Sequence, residues 1–210
     1  MLGLCGAHRV GKTALARAYA EAAKVPFVQT SASAVYKRLG YDPSKTYDFS
    51  VRLSIQEEIL KDMDAEFAKY AGVMAVADRT PLDMIGYTLA EAIGDRVKEE
   101  DQERLARYVD NCFAATNKRF GVIVLVQPGI ELVAEEGKAA LNKAYIEHLN
   151  YLMLGLHNDA RLTSRHYMIP KQTLELEKRV KSLQACVETA KTLTLYERME
   201  MGQQQAATVH

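Results

Sequence analysis

Met1-Leu2-Gly3-Leu4-Cys5-Gly6-Ala7-His8-Arg9-Val10-Gly11-Lys12-Thr13 opens the chain and decides how the rest is read. Met1 to Cys5 is apolar on successive residues, which is how a strand buried on both faces reads. Gly6 to Thr13 then fits G-x-x-x-x-G-K-[ST] at every fixed position. Glycines let the backbone wrap until successive N–H groups point inward at phosphate oxygens. Lys12 adds a mobile cation that reaches β- and γ-phosphates, and the Thr13 hydroxyl can ligate Mg²⁺. Ala14 to Ala20 reads as a helix whose positive end faces the same anion. The whole stretch (Gly6, Ala7, His8, Arg9, Val10, Gly11, Lys12, Thr13) is therefore expected to hold ATP with Mg²⁺. His8 and Arg9 fill free positions, and His8 reads first as a spacer used for its backbone, with a base or ligand role as the weaker alternative.

Working outward, short apolar runs recur at Val25–Val28, Val73–Ala77, Gly121–Val126 and His166–Ile169, each reading as a strand buried on both faces. Amphipathic segments separate them. Leu105, Tyr108, Val109, Cys112 and Phe113 follow one helical face, as do Leu53, Gln56, Leu60, Met63 and Phe67. Leu176, Val180, Leu183, Val187 and Ala190 mark a last long helix. Strands alternating with helices imply an α/β fold, a parallel sheet with helices on both faces. Asp42-Pro43-Ser44-Lys45 reads as a loop between helices.

Composition removes other classes. The 210 residues carry 27 Lys plus Arg against 27 Asp plus Glu, and 48% are apolar, enough for one sizeable core. A zero net charge argues against a protein that coats nucleic acid, since such binding runs on excess Lys and Arg. Cys5, Cys112 and Cys186 are far apart and form no CxxC pair, so neither a disulfide framework nor a zinc site is expected. No apolar run approaches a membrane span, and the first residues do not form a signal peptide. The cytoplasm is the expected compartment.

A second chemical cluster follows the third run. Val73 to Ala77 leads into Asp78-Arg79-Thr80-Pro81-Leu82-Asp83. Active groups of open parallel sheets sit beyond the carboxyl ends of strands, which places Asp78 and Arg79 well. Asp78 is expected to hold Mg²⁺ or to accept a proton from an attacking hydroxyl, and Arg79 to clamp phosphate. Thr80, Pro81 and Asp83 are accounted for as a helix entry.

The acceptor is expected between the second and third strands, with Tyr36, Phe49, Arg52 and Gln56 as its contacts. Arg52 and Gln56 are i, i+4 neighbours. A Gln amide complements the O4/N3–H edge of uracil or thymine, and aromatic rings can stack on a base. After the fourth run, Glu135-Glu136-Gly137-Lys138 reads as part of a lid, with Lys138 the expected cation for the transferred phosphoryl group, Lys143 second, and Arg161 and Arg165 weaker candidates.

With a phosphate loop at residues 6–13, Asp-Arg after the third strand and a lid before the fifth, the chain resembles the thymidylate-kinase-like group of P-loop kinases. The resemblance covers the chain to about residue 195 and implies a five-stranded parallel sheet in order 2-3-1-4-5. It implies one kinase domain over residues 1–200 with a lid over about 128–165 and the capacity to form a homodimer, while the glutamine-rich end from Gly202 reads as a flexible tail over 201–210. Ser33 to Leu60 and Asp-Arg-Thr-Pro-Leu-Asp further resemble phage-encoded members, which act on deoxynucleotides or phosphorylate 5-hydroxymethyluridine in DNA. A phage source would place the protein in the host cytoplasm. The lid's Gly137-Lys138 stands where many relatives carry arginine, and Thr-Pro follows Asp-Arg where cellular thymidylate kinases carry an aromatic residue.

Three functions follow as expectations. The first is a kinase for the hydroxymethyl group of 5-hydroxymethyluridine in phage DNA, with Asp78 as base and Gln56 as reader. The second is a deoxynucleoside monophosphate kinase, with Arg52 and Arg79 on the acceptor phosphate. The third is a P-loop ATPase that is not a kinase. Neutral charge favours a free nucleotide, while the narrower resemblance favours DNA, and the first is taken as leading.

Overall fold

The computed structural model describes residues 1–131 and 142–208, with side chains to Glu197 apart from Asp95. Five strands form one parallel sheet: β1 (Leu2–Cys5), β2 (Phe27–Val28), β3 (Val76–Ala77), β4 (Val122–Val126) and β5 (Arg165–Ile169), in the order β2-β3-β1-β4-β5. The implied order 2-3-1-4-5 and the α/β class are both found. Seven α-helices connect them: α1 (Lys12–Ala23), α2 (Ala32–Arg38), α3 (Phe49–Ala68), α4 (Pro81–Leu89), α5 (Glu99–Arg119), α6 (Lys143–His157) and α7 (Leu176–Thr208).

The sheet is buried on both faces because its central strands are apolar at every position. In β4, Val122, Val124 and Val126 join Leu2 and Leu4 of β1 in a core completed by Leu15, Ala16 and Tyr19 of α1 and Leu183 and Val187 of α7. Ile123 and Leu125 point the other way, toward Leu53 and Phe67 of α3, Leu82 and Ile85 of α4 and Tyr108 and Phe113 of α5. Parallel pairing aligns Cys5 with Leu125 and Gly3 with Ala77, so β1, β3 and β4 end side by side. The segments that leave those ends therefore start side by side at the carboxyl ends of the strands.

Two runs are corrected by the fold. β3 begins only at Val76, because Val73 and Met74 are exposed before the chain enters between β1 and β2. β5 is an edge strand: His166 and Met168 face solvent and only Ile169 is buried, so it does not read as doubly covered. An apolar run does not reveal which strand ends at the rim. α7 continues past Gly202 to Thr208. One interior glycine costs only about 1 kcal/mol against alanine, and its neighbours Met, Glu, Gln and Ala favour helix. No helix among the described residues is long and apolar enough to cross a membrane.

His157 at the end of α6 gives the fold a pH signature. Its Nε2 lies 3.0 Å from the Tyr167 carbonyl, and its ring meets His166 edge-on at 4.7 Å. Burial, aided by the neighbouring His166, holds the His157 pKa below the usual value. The unfolded chain therefore binds this proton more readily, and stability is lost as pH falls below about 6.5 toward the depressed folded pKa. Melting temperature should fall from pH 7.5 to 5.5, and the fall should be shallower in His157→Gln. Equal slopes in the two proteins would contradict this assignment.

Candidate active site

The phosphate loop joins β1 to α1. Gly6 has φ 139° and Gly11 φ 82°, and a Cβ on Gly6 would lie 2.5 Å from the Val126 carbonyl oxygen. Only glycine fits there. Arg9 also adopts a left-handed conformation, φ 63°. Gly11 caps α1 without a side chain, which leaves the first-turn N–H groups facing the loop's concavity. The buried Lys12 ammonium donates to the Gly6 and Ala7 carbonyls at 2.6 and 2.7 Å. It folds back over the loop that a phosphate would fill.

At the end of β3, buried Asp78 faces the loop. The Thr13 hydroxyl donates to Asp78 Oδ2 at 2.7 Å. A hydroxyl and a carboxylate, both hard oxygen donors, fit Mg²⁺, which takes its other oxygens from phosphate and water. Thr13 and Asp78 would hold the ion, whose charge would offset that of the phosphates. Of Asp78's two expected uses, this bond supports the metal-holding one.

Asp83, expected only as a helix-entry residue, lies at the centre of the site. It is fully buried. Its Oδ1 accepts from the Gly6 amide at 3.1 Å, and its Oδ2 accepts from the Thr80 amide at 2.8 Å and the Thr80 hydroxyl at 3.1 Å. Lys12 Nζ stands 3.6 Å from Oδ1. One carboxylate thus ties the phosphate loop, the end of β3 and the start of α4. Burial pushes the Asp83 carboxyl up and the Lys12 ammonium down, and their mutual attraction offsets only part of that. Its helix-cap role was legible and masked the second one.

Arg79 lies half-buried with its guanidinium 5.7 Å from the Tyr87 ring centroid. Among the described residues no carboxylate comes within ion-pair distance of it, so it can meet an anionic substrate group. The His8 ring packs beside Tyr87 of α4 at 6.4 Å and Tyr145 of α6 at 5.7 Å. Burial raises the Tyr87 pKa to about 12, so the phenol stays neutral.

The acceptor candidates divide. Arg52 donates to Glu91 in a partly buried ion pair, which engages the guanidinium that was to meet an acceptor phosphate. Tyr36 is buried, and Arg52 and Glu91 both act on its hydroxyl. Phe49 belongs to the core at the start of α3. Gln56, one turn beyond Arg52, is buried with no partner for Oε1 among the described residues. A buried carbonyl oxygen in that state is costly unless a ligand donor meets it.

Lys138 lies outside the described residues. Lys143 is exposed at the first turn of α6. Arg161 and Arg165 belong elsewhere: Arg161 pairs with Asp110 and Asp159 over the Phe113 ring, and Arg165 pairs with Glu197 at the amino end of β5. The loop lies at the other end of the strands, after the carboxyl end of β1.

Arg179 of α7 was not foreseen. It is buried, and it donates from Nη1 to the Val10 carbonyl at 2.8 Å and from Nε to the Thr173 carbonyl at 2.7 Å. The contact braces the loop just before Gly11, across a separation of 169 residues that no local pattern discloses. Hydrogen bonds to a charged group are worth roughly 1.5–3 kcal/mol, so Arg179→Met should weaken ATP binding on the order of tenfold. Isothermal titration checks this; unchanged affinity would show that the loop keeps its shape unaided.

No family model and no curated protein matches the sequence. Solved structures do match. Deoxyadenosine kinase from M. mycoides with bound dCTP superposes with a TM-score of 0.63 at 11% identity, over 90% of this chain and 98% of that one. The NadR protein in complex with NAD and AMP-PNP gives 0.60 at 13%, over 90% of this chain and 48% of that one. Thymidylate kinase from Candida albicans gives 0.52 at 11%, over 90% and 91%. At these identities the likeness is one of fold: the chain has the three-layer α/β architecture shared by these proteins.

Proposed function

We propose that the chain is an ATP-dependent kinase that transfers the γ-phosphate to a nucleotide-type acceptor, the favoured one being the 5-hydroxymethyl group of 5-hydroxymethyluridine in DNA. Gly6 to Thr13 would bind the triphosphate, Thr13 and Asp78 would hold Mg²⁺, and Arg79 would meet the phosphoryl group. Lys138 is the lid cation of this scheme. Gln56 carries the choice of base, because its buried, partnerless Oε1 suits the N3–H of a uracil ring. The kinase-like fold of the structural neighbours supports the reaction class.

A deoxynucleoside monophosphate kinase is the second reading, favoured by Arg79, whose guanidinium has no carboxylate partner among the described residues. It is weakened by Arg52, which faces Glu91. γ-Labelled ATP with Mg²⁺, offered to hydroxymethyluridine-containing DNA, ordinary DNA and deoxynucleoside monophosphates, separates the two. Label is expected in the modified DNA. Label confined to monophosphates would replace the first reading with the second.

A further inference from the structure

A hydroxyl acceptor has to lose a proton as it attacks phosphorus, and among the described residues Asp78, Asp83 and Glu91 each already meet a partner. Asp78 accepts from Thr13, Asp83 accepts from Gly6 and Thr80 and faces Lys12, and Glu91 accepts from Arg52. These contacts hold the three carboxylates against groups of the protein itself.

His8 is differently placed. It projects from the loop itself, four residues before Lys12, into the space bounded by Tyr87 and Tyr145. Neither ring nitrogen has a hydrogen-bond partner among the described residues. The Tyr87 and Tyr145 rings lie beside the imidazole without taking up its lone pair. Lys12 and Arg79, the cations expected on the transferred phosphate, are close enough to act on it electrostatically.

We infer that His8 is the general base of the transfer, taking the proton of the acceptor hydroxyl as its oxygen attacks the γ-phosphorus of ATP. The step balances. The acceptor O–P bond forms, the bond from γ-phosphorus to the β–γ bridging oxygen breaks, and ADP leaves with that electron pair. The hydroxyl proton passes to the imidazole and from there to solvent. The inference rests on the kinase reading above, and only on the part that makes the acceptor a hydroxyl, since a phosphate acceptor needs no base.

The surroundings suit the task. Burial, then Lys12, Arg79 and Arg9, hold the His8 pKa below its usual value, so the ring is neutral and able to accept at pH 7. From the other elements it meets the neutral phenols of Tyr87 on α4 and Tyr145 on α6, and beyond Tyr145 the His148 ring at 6.5 Å. Activity should therefore be full above about pH 6.5 and fall as His8 takes up a proton on acidification.

The test compares wild type, His8→Gln and His8→Ala from pH 5 to 9, reading label transferred from ATP to hydroxymethyluridine DNA and, separately, ATP binding by calorimetry. Removing a general base costs about 10²–10⁴-fold. His8→Gln should lose that much and lose the acid limb of the wild-type profile, with ATP affinity kept within a few-fold. Added imidazole should restore part of the activity of His8→Ala, more at higher pH. Transfer by His8→Gln within threefold of wild type, with the same acid limb, would overturn the role of His8 and leave the kinase reading standing. So would a crippled His8→Ala that imidazole does not rescue. A wild-type protein that labels no hydroxyl acceptor would overturn the underlying reading itself.

Discussion

Asp83→Asn should lower the melting temperature by roughly 10 °C, the largest stability loss expected from any conservative change in the site. The carboxylate accepts from three donors on two chain segments and faces the Lys12 ammonium 3.6 Å away. An asparagine amide can accept with its oxygen at one end only, so its NH₂ meets either the Gly6 or the Thr80 donors head-on. Lys12 also loses the one carboxylate that lies within ion-pair range of it among the described residues, and breaking a buried pair typically costs about 3–5 kcal/mol. Phosphoryl transfer should fall as well, because the loop's anchor at Gly6 is gone. Thermal unfolding with and without ATP measures both effects. A double variant with Lys12→Met should recover part of the stability, since no buried charge is then left alone, but none of the activity. A melting temperature unchanged in Asp83→Asn would mean that the carboxylate is not the tie the geometry indicates.

Lys12→Met should have the largest effect on rate. The ammonium is the loop cation expected to follow charge onto the phosphoryl oxygens, and its loss should reduce transfer by about 10³-fold or more. Its stability cost should depend on pH in a definite direction. Without Lys12, the buried Asp83 carboxyl, already pushed up by burial, is raised further. A raised folded pKa stabilises most below the unfolded pKa near 4 and gives that stability up as pH rises. The gap between wild type and variant should therefore widen from pH 5 to pH 8. A gap that narrows would show that Asp83 is not the group left uncompensated.

These two residues also show what could be read in advance. The phosphate loop was legible because its chemistry demands fixed residues at fixed spacing within eight positions. Asp78 was legible because a strand end in a parallel sheet locates it. Asp83 was half legible, since a helix-entry signal accounted for it completely and left no reason to look further. Arg179 was not legible at all: its partner carbonyl at Val10 becomes a neighbour only when α7 packs against α1. Arg52 misled in the opposite sense, because its counter-ion Glu91 comes from the turn that follows α4. His8 stood in a position whose side chain the motif leaves unspecified, and only the rings of Tyr87 and Tyr145 around it mark the side chain as placed. β5 could not be told from a central strand, because short apolar runs look alike at the rim and in the middle of a sheet.

Whether the cradle serves transfer or hydrolysis is decided by where the γ-phosphoryl group goes. Protein in excess over γ-labelled ATP, mixed with Mg²⁺ and hydroxymethyluridine DNA for a single turnover, measures that fate directly. Most of the label should appear on the DNA, with little as inorganic phosphate. Label released as inorganic phosphate at the same rate with and without every nucleotide-type acceptor would contradict the kinase account and leave a P-loop ATPase in its place.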